Sequence, residues 1–135
     1  MQRRMLSRED EEAAGPEAEV RREDQEKINK FSRLHQRELN IEDQLKTKNK
    51  EKEELDDIST ELELVDEDDK VPYRVGDAFF NVKATKALKM VEVESTKMEE
   101  DISALEDSLS TIRDDMTQLK VDLYARFGRS INLET

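Results

Sequence analysis

LKMVEVESTKMEEDISALEDSLSTIRDDMTQLKVDLYAR, residues 88–126, decides the fold. Leu88, Val91, Ser95, Met98, Ile102, Leu105, Leu109, Ile112, Met116, Leu119, Leu123 and Arg126 follow one another in alternating steps of three and four. Ten of these twelve positions are apolar, where a chain that is 34% apolar would supply about four by chance. A period of 3.5 residues lays one apolar line along one side of a long helix. Such a line must be covered by another helix, so the chain is built for partnership.

Working outward, a matching pattern precedes it. Ile28, Phe31 and Leu34 cluster first, and a second seam runs through Glu38, Ile41, Leu45, Lys48, Lys52, Leu55, Ser59 and Leu62. Lys48 and Lys52 stand where Leu would be expected; their alkyl stems can cover apolar surface while the ammonium groups reach water. Between the two helical stretches the period changes to two. Val71, Tyr73 and Val75 share one face of a strand, and Ala78, Phe80 and Val82 share one face of the next. Gly76-Asp77 supplies the turn, and Pro72, with no N–H to donate, belongs at a strand start or an edge. The acidic run Asp66 to Asp69 ends the first helix. It fails as a Ca²⁺ loop because Val71 stands where a Gly is required. Asn81 is the expected N-cap of the second helix, and Gly128 its C′ residue.

The expected division is therefore a disordered N-terminal extension over 1–21, a first helix over 22–64, an acidic turn and β-hairpin over 65–82, a second helix over 83–128 and an apolar tail over 129–135. The fold class is mainly α: two long helices forming an antiparallel coiled coil joined by a β-hairpin. In the simplest register, facing residues sum to about 150, which sets Ile41 against Leu109 and Leu45 against Leu105.

Composition narrows the function. The chain has 135 residues, 43% of them charged, with a net charge of −12. Phosphate binding needs clustered Lys and Arg, so nucleic acid is not an expected partner, nor is an anionic membrane face. Without cysteine there is no disulfide framework or thiolate metal site. His35 is the one histidine and has no catalytic constellation around it. With no phosphate loop and no apolar pocket around a carboxylate, an enzyme is not expected, nor is a cofactor. No leader-like or membrane-spanning run is evident, and a cytoplasmic setting is expected.

Two places ask for partners. A two-stranded hairpin alone is marginal in water, and Val71, Tyr73, Val75, Gly76, Phe79, Phe80 and Val82 form one with apolar faces and open edges. Hairpins from several chains are expected to join into a shared sheet or barrel. At the opposite end Ile28, Phe31, Leu34, Tyr124, Phe127, Ile131 and Leu133 form an apolar tip with nothing larger present to bury them all. It suits weak binding of exposed hydrophobic segments. Alternatively Phe127, Ile131 and Leu133 seal the coiled coil, and the residues alone leave both readings open.

Glu23-Asp24-Gln25-Glu26-Lys27-Ile28-Asn29-Lys30-Phe31, then Val71-Pro72-Tyr73 with Val75-Gly76-Asp77 and Phe79, then Leu123-Tyr124-Ala125-Arg126-Phe127-Gly128 with Ile131-Asn132-Leu133-Glu134, occur in order and at the right separations. Together they make the chain resemble the β-type prefoldin subunits of eukaryotes over about residues 20 to 134. It departs from them where the family tends to place a capping Thr before the Glu-Asp-Gln run; here Arg21 and Arg22 stand instead. The resemblance implies an ATP-independent co-chaperone, a hexamer of two α-type and four β-type subunits. Its hairpins would form barrels, and its coiled-coil tips would capture unfolded actin and tubulin chains and pass them to the group II chaperonin. Residues 71 to 82 become the assembly element, and the tip residues become client contacts. The rival reading is a coiled-coil scaffold or tether that docks one folded partner.

Overall fold

A computed structural model describes residues 19–128 and 131–133. Its elements are helix α1 (Arg22–Glu63), strands β1 (Lys70–Val75) and β2 (Ala78–Lys83), and helix α2 (Ala84–Phe127). Most of the extension expected to be disordered lies outside the described residues, as do residues 129–130 and 134–135 of the tail.

Helix α1 begins without a side-chain N-cap. Arg21 holds the cap position, and its backbone N–H donates to Asp24 Oδ2 at 3.0 Å, while its carbonyl accepts from the Gln25 N–H at 3.0 Å. Asp24 thus makes the reciprocal half of a capping box from the third helical position, and its charge suits the positive end of the helix. The helix closes in tightened i→i+3 bonds, from Leu64 N–H to Glu61 O and from Val65 N–H to Leu62 O.

The described residues pack as two compact units, one of residues 19–43 with 107–128 and 131–133, the other of residues 44–106. In the first, the N-terminal half of α1 faces the C-terminal half of α2. Lys27 Nζ lies 3.6 Å from Asp122, and Arg113 reaches both Glu38 (3.0 Å) and Glu42 (2.7 Å). Ile28, Phe31, Leu34, Ile41, Leu109, Ile112, Met116, Leu119, Leu123 and Phe127 are all buried, and this is where the core of the chain sits.

In the second unit Lys48 pairs with Asp101 at 3.6 Å and Lys52 with Glu99 at 3.5 Å. All these pairs fit an antiparallel register summing to about 150. Lys48 and Lys52 are half-buried, their stems on the seam and their ammonium groups on carboxylates at its rim. Here the seam is only partly covered: Leu45, Leu55, Leu62, Leu88, Met98 and Leu105 are half-buried, while Ala84, Ala87, Val91 and Ile102 are buried.

The hairpin pairs Val71 with Val82, Tyr73 with Phe80 and Val75 with Ala78, so the alternating residues of both strands share one face. Gly76 carries a φ of 61° and among the described residues no non-Gly residue has positive φ, the φ pattern of a type II′ turn with glycine first. The expected cap at Asn81 is not made. Asn81 lies within β2, paired with Pro72, and α2 starts only at Ala84. The acidic turn caps the helix through its backbone: the Ala84 N–H donates to Asp69 O at 2.7 Å, and Thr85 donates to Glu67 O from its N–H at 3.4 Å and its Oγ1 at 2.9 Å. These carbonyls satisfy N–H groups that a helix start leaves open. Lys83, the last residue of β2, lies 4.0 Å from Asp68 of the same turn. Among the described residues no helix is long and apolar enough to cross a membrane.

Candidate functional site

Two sites are built by these elements. The first is the hairpin with the helix turns that flank it. Val71, Tyr73 and Val82 are half-covered, but Val75 (52% exposed), Phe79 (67%) and Phe80 (55%) stand in solvent. The sheet has two strands, so each keeps one unpaired edge of N–H and C=O groups. The hairpin leans on its own helix roots without closing onto them. A cleft of about 450 Å³ remains, lined by Leu55, Leu62, Val71, Tyr73, Phe79 and Val91 among others. Tyr73, half-covered in this cleft, lies close enough to Glu94 to feel its charge. Its phenol is pushed above the ordinary value, chiefly by burial and then by the Glu94 charge. Near the turn, Arg74 Nε donates to Gly76 O at 2.8 Å. Apolar area of this kind, with open edges and a cleft behind it, gains by covering from another sheet at about 25 cal/mol per Å².

The second site is the tip, where of the two readings left open the packing is that of a sealed coiled-coil end. Ile28, Phe31, Leu34, Phe127, Ile131 and Leu133 are all buried, Phe31 and Leu133 almost completely. Of the expected contact residues only Tyr124 is exposed. Two of these buried residues, Ile131 and Leu133, belong to the tail beyond Gly128, which takes a φ of 57°. Burying an aliphatic side chain of this size stabilises by about 1.5–3 kcal/mol, which offsets part of the conformational entropy of ordering the tail. Val20 and Val121, not foreseen at this end, are exposed with Tyr124. Val121 stands two residues off the seam, and an off-seam apolar residue is the signal that could have marked it.

Charge ties the tip together. Arg126 Nε lies 2.8 Å from Asp24 Oδ1 as an ion-pair contact outside hydrogen-bond geometry, and its Nη2 donates to the Glu19 carbonyl at 2.8 Å. Asp24 is almost wholly buried, so both its oxygens are committed, one to the helix cap and one to Arg126. Arg126 also lies over the Phe127 ring at 5.1 Å, and Lys120 over Phe31 at 5.7 Å. Asp24 was read in the sequence only as part of a motif. Its dual role was hidden because its partner lies about a hundred residues away along the chain. Farther along, Glu38 accepts from Arg113 and lies 3.2 Å from His35 Nδ1. The Arg113 guanidinium is raised by its bonds to Glu38 and Glu42, but it is half exposed, and such pairs contribute at most about 1 kcal/mol.

These sites can be set beside known proteins. The family model described as "Prefoldin subunit" matches residues 25–130. Prefoldin subunit 4 of Saccharomyces cerevisiae is 44% identical over 112 residues, covering 83% of this chain and 87% of the relative. Prefoldin subunit 4 of Homo sapiens is 36% identical over 123 residues, covering 90% and 92%. Among solved structures, the prefoldin beta subunit from Thermococcus strain KS-1 has the same fold, with a TM-score of 0.73 over 82% of this chain and 97% of that one at 16% identity. The helix–hairpin–helix order, the motifs and the span of the match agree, and the chain belongs to the prefoldin subunit family.

Proposed function

We propose that the chain works as a β-type subunit of a hexameric, ATP-independent prefoldin co-chaperone with two α-type and four β-type subunits. The hairpin joins hairpins of neighbouring prefoldin subunits. The tip takes hold of unfolded proteins of the actin and tubulin type in the cytoplasm and hands them to the group II chaperonin. The observation that carries this reading is the hairpin: open edges, exposed Val75, Phe79 and Phe80, and a cleft behind them in a single chain. Family membership and the identity of the relatives as prefoldin subunits support the same assembly. No chemistry is needed, because weak apolar contacts from several tips held together add to useful avidity. The acidic surface, with a net charge of −12, disfavours self-association and can meet basic patches on a chaperonin.

A second reading, a scaffold docking one folded partner, is favoured by the burial of the tip residues. One experiment separates the two. The chain is co-expressed with the other prefoldin subunits, the mass of the complex is measured, and denatured actin is diluted into it without ATP. A hexamer that suppresses aggregation and releases actin to added chaperonin supports the proposal. A chain that stays outside the hexamer, or a hexamer without effect on denatured actin, overturns it.

A further inference from the structure

Behind the hairpin the helix roots bring charge as well as apolar surface. The cleft of about 450 Å³ is lined by half-buried Leu55, Leu62, Val71 and Tyr73 and by exposed Ile58 and Phe79. Its charged members are Glu61 on α1, Glu94 on α2 and Arg74 on β1. Arg74 is taken up at the turn, where its Nε donates to Gly76 O and its Nη2 lies 3.9 Å from Asp77. Glu61 and Glu94 are exposed, and among the described residues neither is held by a lysine or arginine. The uncompensated charge of the cleft is therefore negative.

That charge matters once the cleft is covered. A partner closing over Phe79 and the cleft gains by burying apolar area. It also strips water from two carboxylates, and a carboxylate desolvated without a cation outweighs a single apolar contact. Other prefoldin subunits are the partners that family membership implies. We infer that the cleft receives an apolar side chain from a neighbouring prefoldin subunit, and that lysine or arginine residues beside that side chain meet Glu61 and Glu94. The helix roots then choose the neighbour by charge, where the hairpin faces offer apolar contact to any. An acidic neighbour is rejected by like charge, a neutral one leaves the carboxylates unpaired, and a basic one is accepted. This inference rests on the reading that hairpins of neighbouring subunits join.

The test is a competition for places in the complex. The chain and a differently tagged variant are co-expressed in equal amounts with the other prefoldin subunits, and native mass measurement reads the share of each in the purified complex. Glu61→Lys with Glu94→Lys should enter about tenfold less than the unaltered chain. Glu61→Gln with Glu94→Gln should fall between the two, and higher salt during assembly should narrow the gap. Both positions are exposed, so the isolated variants should keep the helix content and Tm of the unaltered chain; Glu94→Lys alone serves should the double change disturb the fold. A photo-reactive p-benzoylphenylalanine in place of Ile58 then marks what fills the cleft in the complex. Cross-linking to a neighbouring segment in which an apolar residue adjoins a lysine or arginine supports the inference. A segment without a base, no cross-link to a neighbour, or equal entry of the charge-reversed chain overturns it. Exclusion of Phe79→Asp beside equal entry of the charge-reversed chain sinks only this inference, while free entry of Phe79→Asp sinks the hairpin reading as well.

Discussion

Tyr73 is a phenol held between apolar cover and a carboxylate. Burial first, and Glu94 second, favour its neutral form in the folded chain. A group whose folded pKa is raised contributes stability that is complete below its ordinary value of 10.0 and is lost as pH climbs through the folded value. Alkaline titration of phenolate absorbance should therefore show one tyrosine ionising late, and Tyr73→Phe should remove that component. Glu94→Gln should move it back toward the ordinary value, leaving only the effect of burial. Asp24 makes the opposite kind of commitment, a charge taken inside. With Asp24→Ala the helix loses its cap bond and Arg126 loses its partner, which should destabilise the chain by about 3 kcal/mol. Urea unfolding measures this, and a loss below about 0.5 kcal/mol would show that Arg126 and the Arg21 N–H find other partners. The motif that contains Asp24 was legible in the sequence; the two bonds it makes were not. One partner is the backbone of a cap residue with no capping side chain, and the other is remote along the chain.

At the scale of elements, both seams were legible position by position, because a 3.5-residue repeat fixes which side chains share a stripe whatever lies opposite. The hairpin faces and the Gly76 turn were equally legible from a period of two and one glycine. The start of α2 was not. Asn81 has the chemistry of a cap, but its place in the strand ladder opposite Pro72 claims it, and carbonyls of the acidic turn take over the capping. The hairpin also carries a prediction. Phe79 and Phe80 point to opposite faces of the sheet and both are largely exposed in the single chain. If neighbouring subunits cover them, Phe79→Asp or Phe80→Asp should weaken assembly by more than about thirtyfold, the effect of losing one central apolar contact. Native mass measurement on the co-expressed subunits reads this, and a complex of unchanged mass and Tm would refute it.

Over the whole molecule the apolar cover is uneven. In the unit of residues 19–43, 107–128 and 131–133 the seam positions Leu109, Ile112, Met116, Leu119 and Leu123 are all buried. In the unit of residues 44–106 most seam positions are half-buried and two are lysines. Local opening is easier where fewer apolar contacts must be broken. Amide exchange in the isolated chain should therefore be slower at Ile112 to Leu123 than at Leu45 to Leu55, and equal protection would contradict the contrast in burial. The sequence by itself determined that there are two amphipathic helices, which faces they bury, that they run antiparallel about a hairpin, and to which family the motifs point. The helices, their faces and the hairpin follow from periodicity and short-range turn chemistry, which act between near neighbours; the family follows from the resemblance of the motifs. Only the tertiary structure decided that the apolar tip is closed. Whether Phe31, Phe127 and Leu133 meet water depends on how the helix ends and the tail pack, and these residues are buried together with Ile131. A contact such as Asp24 with Arg126, made between residues far apart along the chain, is encoded in no local pattern.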